Sequence, residues 1–293
     1  MTTPPTPQAP SPQAPSPQYA PQPVPGAAPQ YAYTSPIPVR AATLGDAIAS
    51  EWTKIRSVRS TMWTLGVMIV LLVGIGVLAA IAVDATDSDI GTTPVLSFGF
   101  FGVLLGSICV ITLGVLTISS EYGTGMIRTT LTACPSRARV LTAKAIVFFL
   151  LTFTITTVTA AVVAMLQVAI IGGESADGSA WLNATVGVGL YVATLGLLSL
   201  AVGALVRHSA GAITIMIGVV LLPLVLAMFM MSQSLEDLRM WLFEYSIPSQ
   251  LSVLYDTAPA DSGPSGWGSV LIMLGLSAVA LFSAYLSLDR RDV

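Results

Sequence analysis

The sequence predicts an all-α integral membrane protein with six transmembrane helices and an N-terminal interfacial amphipathic helix. Hydrophobic residues fill 54% of the 293 positions and charged residues only 9%, with a mean hydropathy of +0.81. A soluble domain carries about a quarter charged residues, so this balance points to lipid as the solvent. Six stretches, roughly 62–83, 97–118, 142–171, 182–206, 210–231 and 267–288, are apolar and long enough to span, which takes about 20 residues. The charges are also sorted between the connections of these stretches in a way that an odd number of spans would scramble.

Residues 1–42 are expected to form a disordered, Pro-rich cytoplasmic tail. Residues 1–39 hold 13 of the 19 prolines and no charged side chain. They repeat Ala-Pro-Ser-Pro-Gln at 9–13 and 14–18, and Pro-Gln-Tyr-Ala at 17–20 and 29–32. Such a composition buries too little apolar surface to offset ordering entropy. It also lacks the apolar core and basic start of an export signal. Two roles stand open for it: docking into an aromatic-lined partner groove, or solvation with no dedicated partner.

The segment 43–60 reads as an amphipathic interfacial helix. Leu44, Ile48, Trp52, Ile55 and Val58 recur at helical spacing. Thr43 is placed to cap the start, with Asp46 three residues on. Lys54, Arg56 and Arg59 flank the stripe, as suits an anionic membrane surface. Glu51 falls inside the apolar sector, which is odd for a lipid-facing surface. It either pairs with Lys54 or Arg59, or faces protein.

The six-helix transmembrane domain is expected over 61–293. Eleven of the twelve Lys and Arg residues fall on one side: Arg40, Lys54, Arg56, Arg59, Arg128, Arg137, Arg139, Lys144, Arg207, Arg290 and Arg291. Only Arg239 falls on the other, where the loops carry Asp84, Asp87, Asp89, Glu174, Asp177, Glu236, Asp237, Glu244, Asp256 and Asp261. The basic side is expected to be cytoplasmic, with both termini there. The third stretch is long enough to tilt or project from the membrane. Gly102 and Gly106 form a Gly-x-x-x-Gly pair suited to close helix approach, and Pro223 is expected to kink the fifth span. Bundle packing alone is the other reading of both.

The connection 119–141 opens with a polar, glycine-broken run, followed by a helical patch around Met126–Thr132 that Pro135 ends. Ser136 can cap the next helix. A passive loop and a helix receiving force from a soluble partner both fit that pattern. The connection 232–266 is long for a bundle. Leu235, Leu238, Trp241, Leu242 and Tyr245 mark one short helix there, and Pro248 separates it from an apolar patch at Leu251, Val253, Leu254 and Tyr255.

Several chemistries are missing. The chain has no Gly-x-x-x-x-Gly-Lys-Ser/Thr phosphate loop, no His-Glu-x-x-His, and a single histidine, His208, in a tight turn. Cys109 and Cys134 are expected at different levels, reduced, with no metal-ligand spacing. The span interiors are expected to carry no ionisable side chain, only groups such as Gln167, Asn183 and Tyr191. A proton- or sodium-coupled secondary transporter then lacks its acid.

Three stretches bear a family resemblance: Ser50 to Trp63 (SEWTKIRSVRSTMW), Ser120 to Leu131 (SEYGTGMIRTTL) and Arg139 to Lys144 (RVLTAK). Together they resemble ABC-2 type permease subunits of actinobacterial ABC transporters, over roughly 43–293. The resemblance implies two permease copies, identical or related, forming a path above separate cytoplasmic ATPase subunits. ATP is then bound by those subunits, and this chain carries neither a cofactor nor an enzymatic site of its own. The interfacial helix, with Glu51, Trp52, Lys54, Arg56 and Arg59, becomes a connecting helix. The loop after the second span becomes a coupling helix, with Glu121, Tyr122, Gly125, Arg128, Thr129 and Thr130 as its candidates. Membrane lipid is the other expected partner, nucleic acid is not, and the location implied is a bacterial plasma membrane. The expected function is export of a hydrophobic or amphipathic substrate. The alternative is a non-transporting scaffold or sensor that recruits cytoplasmic partners.

Overall fold

A computed structural model describes residues 41–86, 91, 93–172, 176–257 and 263–290. The Pro-rich tail up to Arg40, and Asp87, Asp89, Glu174, Asp261 and Arg291, lie outside the described residues. From Ala42 onward the chain forms one unit, built from α1 (Leu44–Ser57), α2 (Arg59–Ala85), a 3-10 turn (Val95–Gly99), α3 (Phe100–Gly123), α4 (Met126–Ala133) and α5 (Arg137–Ile171). There follow α6 (Gly178–Leu182), a π-helical turn (Asn183–Gly187), α7 (Val188–Val206), α8 (Ser209–Phe229), a 3-10 turn (Gln233–Leu235), α9 (Glu236–Glu244), α10 (Ile247–Val253) and α11 (Gly268–Arg290). Six helical segments are long and apolar enough to cross a membrane, so the chain is a multi-pass, all-α membrane protein.

Helix α7 is the hub. It packs against α3, α5, α8 and α11, while α2 lies against α3 and α5. In its most apolar window 72% of the segment ending at Val206 is buried, against 22% for α2 and for α8. The outer helices instead show large apolar side chains such as Val70, Leu78, Leu222 and Met228 on their outward faces. That inversion of the soluble pattern is what lipid permits.

Close approach at the hub depends on absent side chains. Gly102 and Gly106 bring α3 onto α2: a Cβ on Gly102 would stand 2.9 Å from the Leu72 carbonyl oxygen. The Gly-x-x-x-Gly pair thus serves packing within this chain. Tighter still is a contact the sequence reading missed, where a Cβ on Gly114 would lie 2.6 Å from the Gly196 carbonyl oxygen of α7. Helix α8 runs on through Pro223. Polar groups inside the bilayer depth act as staples: Gln167 donates to the Gly76 carbonyl at 3.3 Å, and the Tyr191 hydroxyl to the Ile247 carbonyl at 3.3 Å.

At the acidic end α9 and α10 differ sharply. Leu235, Leu238, Trp241 and Tyr245 remain exposed, with Trp241 stacked on Tyr245 at 5.4 Å. All seven residues of α10 are buried.

Replacing Gly114 with alanine should lower thermal stability by about 1–3 kcal/mol, because backbone faces backbone and neither yields. Gly74→Ala, where a Cβ meets open space, serves as the control. Thermal denaturation of both variants in detergent checks this, with only Gly114→Ala expected to shift.

Candidate functional site at the basic end of the bundle

The basic residues of the connections gather at one end of the bundle, around α1 and α4. Helix α1 begins with the capping box expected there: the Thr43 hydroxyl accepts from the Asp46 amide at 3.3 Å, and the Thr43 amide donates to Asp46 Oδ2 at 2.9 Å. One face of α1 leaves Leu44 and Trp52 exposed, as is Val58 just beyond its end, with the Arg56 guanidinium 5.9 Å from the Trp52 ring centre. The adjoining face buries Glu51 and Ile55. The apolar sector is therefore split between two surroundings, and Glu51 faces protein.

There it meets a cluster that the sequence had scattered over 93 positions. Lys144 Nζ of α5 donates to Glu51 Oε2 at 2.7 Å, to Glu121 Oε1 of α3 at 2.6 Å and to the Thr117 carbonyl at 3.3 Å. Lys54 Nζ donates to Glu51 Oε1 at 2.7 Å, to Glu121 Oε1 at 2.9 Å and to Thr130 Oγ1 of α4 at 3.4 Å. Each ammonium has three donors, and all are spent. The Lys144 side chain is 1% exposed and those of Glu51 and Glu121 are 6% and 7% exposed. Two carboxylates and two ammoniums cancel, which is the condition for holding such charges out of water. Glu121 Oε2 is buried without a hydrogen-bond partner.

Lys54, half-buried, lies outside the spans. Burial works to discharge it, but hydrogen bonds to Glu121 and Glu51, reinforced by their charges, outweigh that and raise its pKa above the ordinary lysine value. A raised lysine pKa contributes stability that is complete below the unfolded value and fades only as pH climbs through the folded one. Lys54 is therefore charged throughout the neutral range.

Beside this cluster α3 turns into α4 through Gly125, whose φ of 72° is the left-handed conformation that glycine adopts without steric cost. Ser136 caps α5 by accepting from the Arg139 amide at 3.4 Å. Arg139 donates to the Ala42 carbonyl at 2.6 Å, and Arg137 donates to the Leu288 carbonyl at the end of α11. The Arg207 guanidinium lies 4.9 Å from the Tyr122 ring centre, and His208 caps α8 by accepting from the Gly211 amide at 3.1 Å. Clefts of about 350 Å³ and about 340 Å³ flank the ion cluster, the first between α1, α2 and α3, the second between α1 and α4.

A family model described as ABC-2 family transporter protein matches residues 47–234, more than half of the chain. The chain belongs to the ABC-2 transporter family. The matched stretch runs from α1 through α8 and so contains the whole ion cluster. No curated protein matches the chain. Membership makes it a membrane component of an ABC transporter, a class that works with an ATPase subunit.

Within that family framework several expectations need correction. The third span is not free of ionisable groups: Lys144 lies in α5, buried and ion-paired. Its place two residues inside the apolar stretch 142–171 was a signal in plain view. Glu121 and Tyr122 belong to the last turn of α3 and not to a loop, since no helix breaker precedes Gly123. Arg59 opens α2, because the chain leaves helical geometry at Val58, three residues before the expected start of the first span. Of the remaining candidates, Arg128 and Thr129 lie on the exposed face of α4, while Thr130 is half-buried against Lys54. Gly102, Gly106 and Pro223 lie in spans away from this cluster.

Lys144→Met should cost about 3–5 kcal/mol, since it leaves two buried carboxylates with a single ammonium, that of Lys54, between them. Adding Glu121→Gln removes one of those charges and should recover part of the loss. Melting of single and double variants tests this, and a wild-type melting temperature in Lys144→Met would count against the cluster.

Proposed function

We propose that this chain is the permease subunit of an exporter that moves a hydrophobic or amphipathic substrate outward. ATP hydrolysis on a separate ATPase subunit drives it, and a second permease copy completes the path. The observation that carries this reading is the pairing of an exposed α4 with the buried ion cluster. Met126, Arg128, Thr129 and Thr132 are exposed on α4, where a soluble subunit can grip them. Thr130, on the other side of α4, touches Lys54 and through it α1, α3 and α5. Force applied at α4 then reaches the interfacial helix and two spans without crossing a flexible joint.

In this mechanism the basic end faces the cytoplasm of a bacterial plasma membrane, by the positive-inside rule. Closure of the ATPase pair on ATP pushes α4 and shifts the bundle between inward- and outward-facing states. Tyr122 beneath Arg207 ties the start of α8 to the same end, so α8 moves with it. Lipid surrounds α2, α8 and α11 except where the second copy covers them. The largely apolar cleft of about 620 Å³ at the opposite end, walled by Phe98, Phe101 and Phe243, gives an apolar substrate a place to leave.

The test is co-purification of the ATPase subunit with wild type and with Arg128→Glu. Reversing an exposed charge at a docking helix should weaken association about tenfold or more, with membrane insertion and melting unchanged. Equal recovery of the ATPase in both would contradict docking through α4.

A further inference from the structure

The cleft between α1, α2 and α3 is rich in acceptors and poor in donors, and this selects its occupant. Its polar wall contains Glu51, Lys54, Glu121 and Lys144, yet every donor of the two lysines is already engaged within the cluster. Four of the six hydroxyls around it are spent likewise, those of Ser60 and Thr61 being the exceptions. Ser57 donates to the Lys54 carbonyl, Thr64 to Ser60, Thr117 to Leu113 and Ser120 to Leu116. Each keeps only lone pairs for a visitor. Glu121, itself buried, holds the one carboxylate oxygen of the cluster with no partner, Oε2. The rest of the wall is apolar, from Ile55, Val58, Leu113, Leu116 and Met126. At about 350 Å³ the cavity suits a small organic molecule.

We propose that this cavity binds an apolar compound bearing a protonated amine, with the ammonium donating to Glu121 Oε2 and the apolar body against Leu113 and Leu116. An anion finds only the Ser60 and Thr61 hydroxyls as donors there, and meets an unpartnered carboxylate oxygen. A neutral alcohol can donate to the carboxylate but brings no positive charge to set against it, so its contact is the weaker one. A cationic amphiphile satisfies both halves of the wall. The inference depends on the exporter reading only in taking this compound as the class of substrate.

The experiment uses the full chain in phosphatidylcholine nanodiscs and tritiated 1-adamantylamine in equilibrium dialysis, with empty nanodiscs as the blank. Saturable binding is expected, with adamantane-1-carboxylate and 1-adamantanol failing to compete. Glu121→Gln should weaken binding about tenfold or more. Because that change also loosens the ion cluster, Leu116→Trp, which fills the cavity and leaves the four charges in place, should abolish binding with unchanged melting. Absence of saturable binding to wild type, as when Oε2 is merely hydrated, overturns the proposal, and so does undiminished binding to Leu116→Trp. A second arm uses phosphatidylethanolamine nanodiscs: equal binding supports a free amine, whereas competition by that lipid overturns it in favour of a lipid headgroup. No ATPase is present, so failure of binding leaves the docking of the ATPase on α4 standing, and failure of docking leaves the binding site standing.

Discussion

Lys144 is the residue on which the basic end of this protein depends. Its ammonium, almost completely excluded from solvent, holds together carboxylates from α1 and α3. The cost of removing each ion from water is several kcal/mol, and only the mutual cancellation of all four charges with full use of the lysine donors offsets it. None of the four residues can be changed alone without exposing that cost. The arrangement explains how a short amphipathic helix with one exposed apolar face is fixed against the bundle at a defined position. Apolar packing of Ile55 alone would leave such a helix free to slide.

The same cluster organises the proposed coupling. Helix α4 is only eight residues long and would be marginal as a helix by itself. Gly125 sets its direction, and Thr130 reaches Lys54 from its inner face. An exposed outer face and an inner face tied to buried charge give a short element that can be pushed without being bent. Beyond it the force meets α3, whose glycines seat it on both α2 and α7 with backbone in contact. The spans are then a body moved from one end.

Much of this was legible in the sequence, for identifiable reasons. Apolar runs and the sorting of eleven basic residues to one side revealed the six crossings, because lipid imposes a length and a charge rule on every span. The Thr43–Asp46 box and the break at Pro135 are local chemistry and could be read from neighbours. Glu51 signalled itself as a charge out of place, but its second partner lies 93 residues away, and no local pattern links them. Gly114 and Gly196 escaped notice for the same reason: each looks like an ordinary glycine in an apolar helix until the opposing backbone is seen. The π-helical turn at Asn183–Gly187 has no visible mark in the sequence.

The central claim is that α1 and α4 move as one body because Lys54 joins them. Spin labels at Ser50 on α1 and Ala133 on α4, both exposed, would report their separation by pulsed electron resonance in the complex with the ATPase subunit. A narrow distance distribution, unchanged between nucleotide-free and ATP-trapped states and broadened by Lys54→Met, is the expected result. A separation that shifts with ATP in the wild-type cluster, or one indifferent to Lys54→Met, would contradict it.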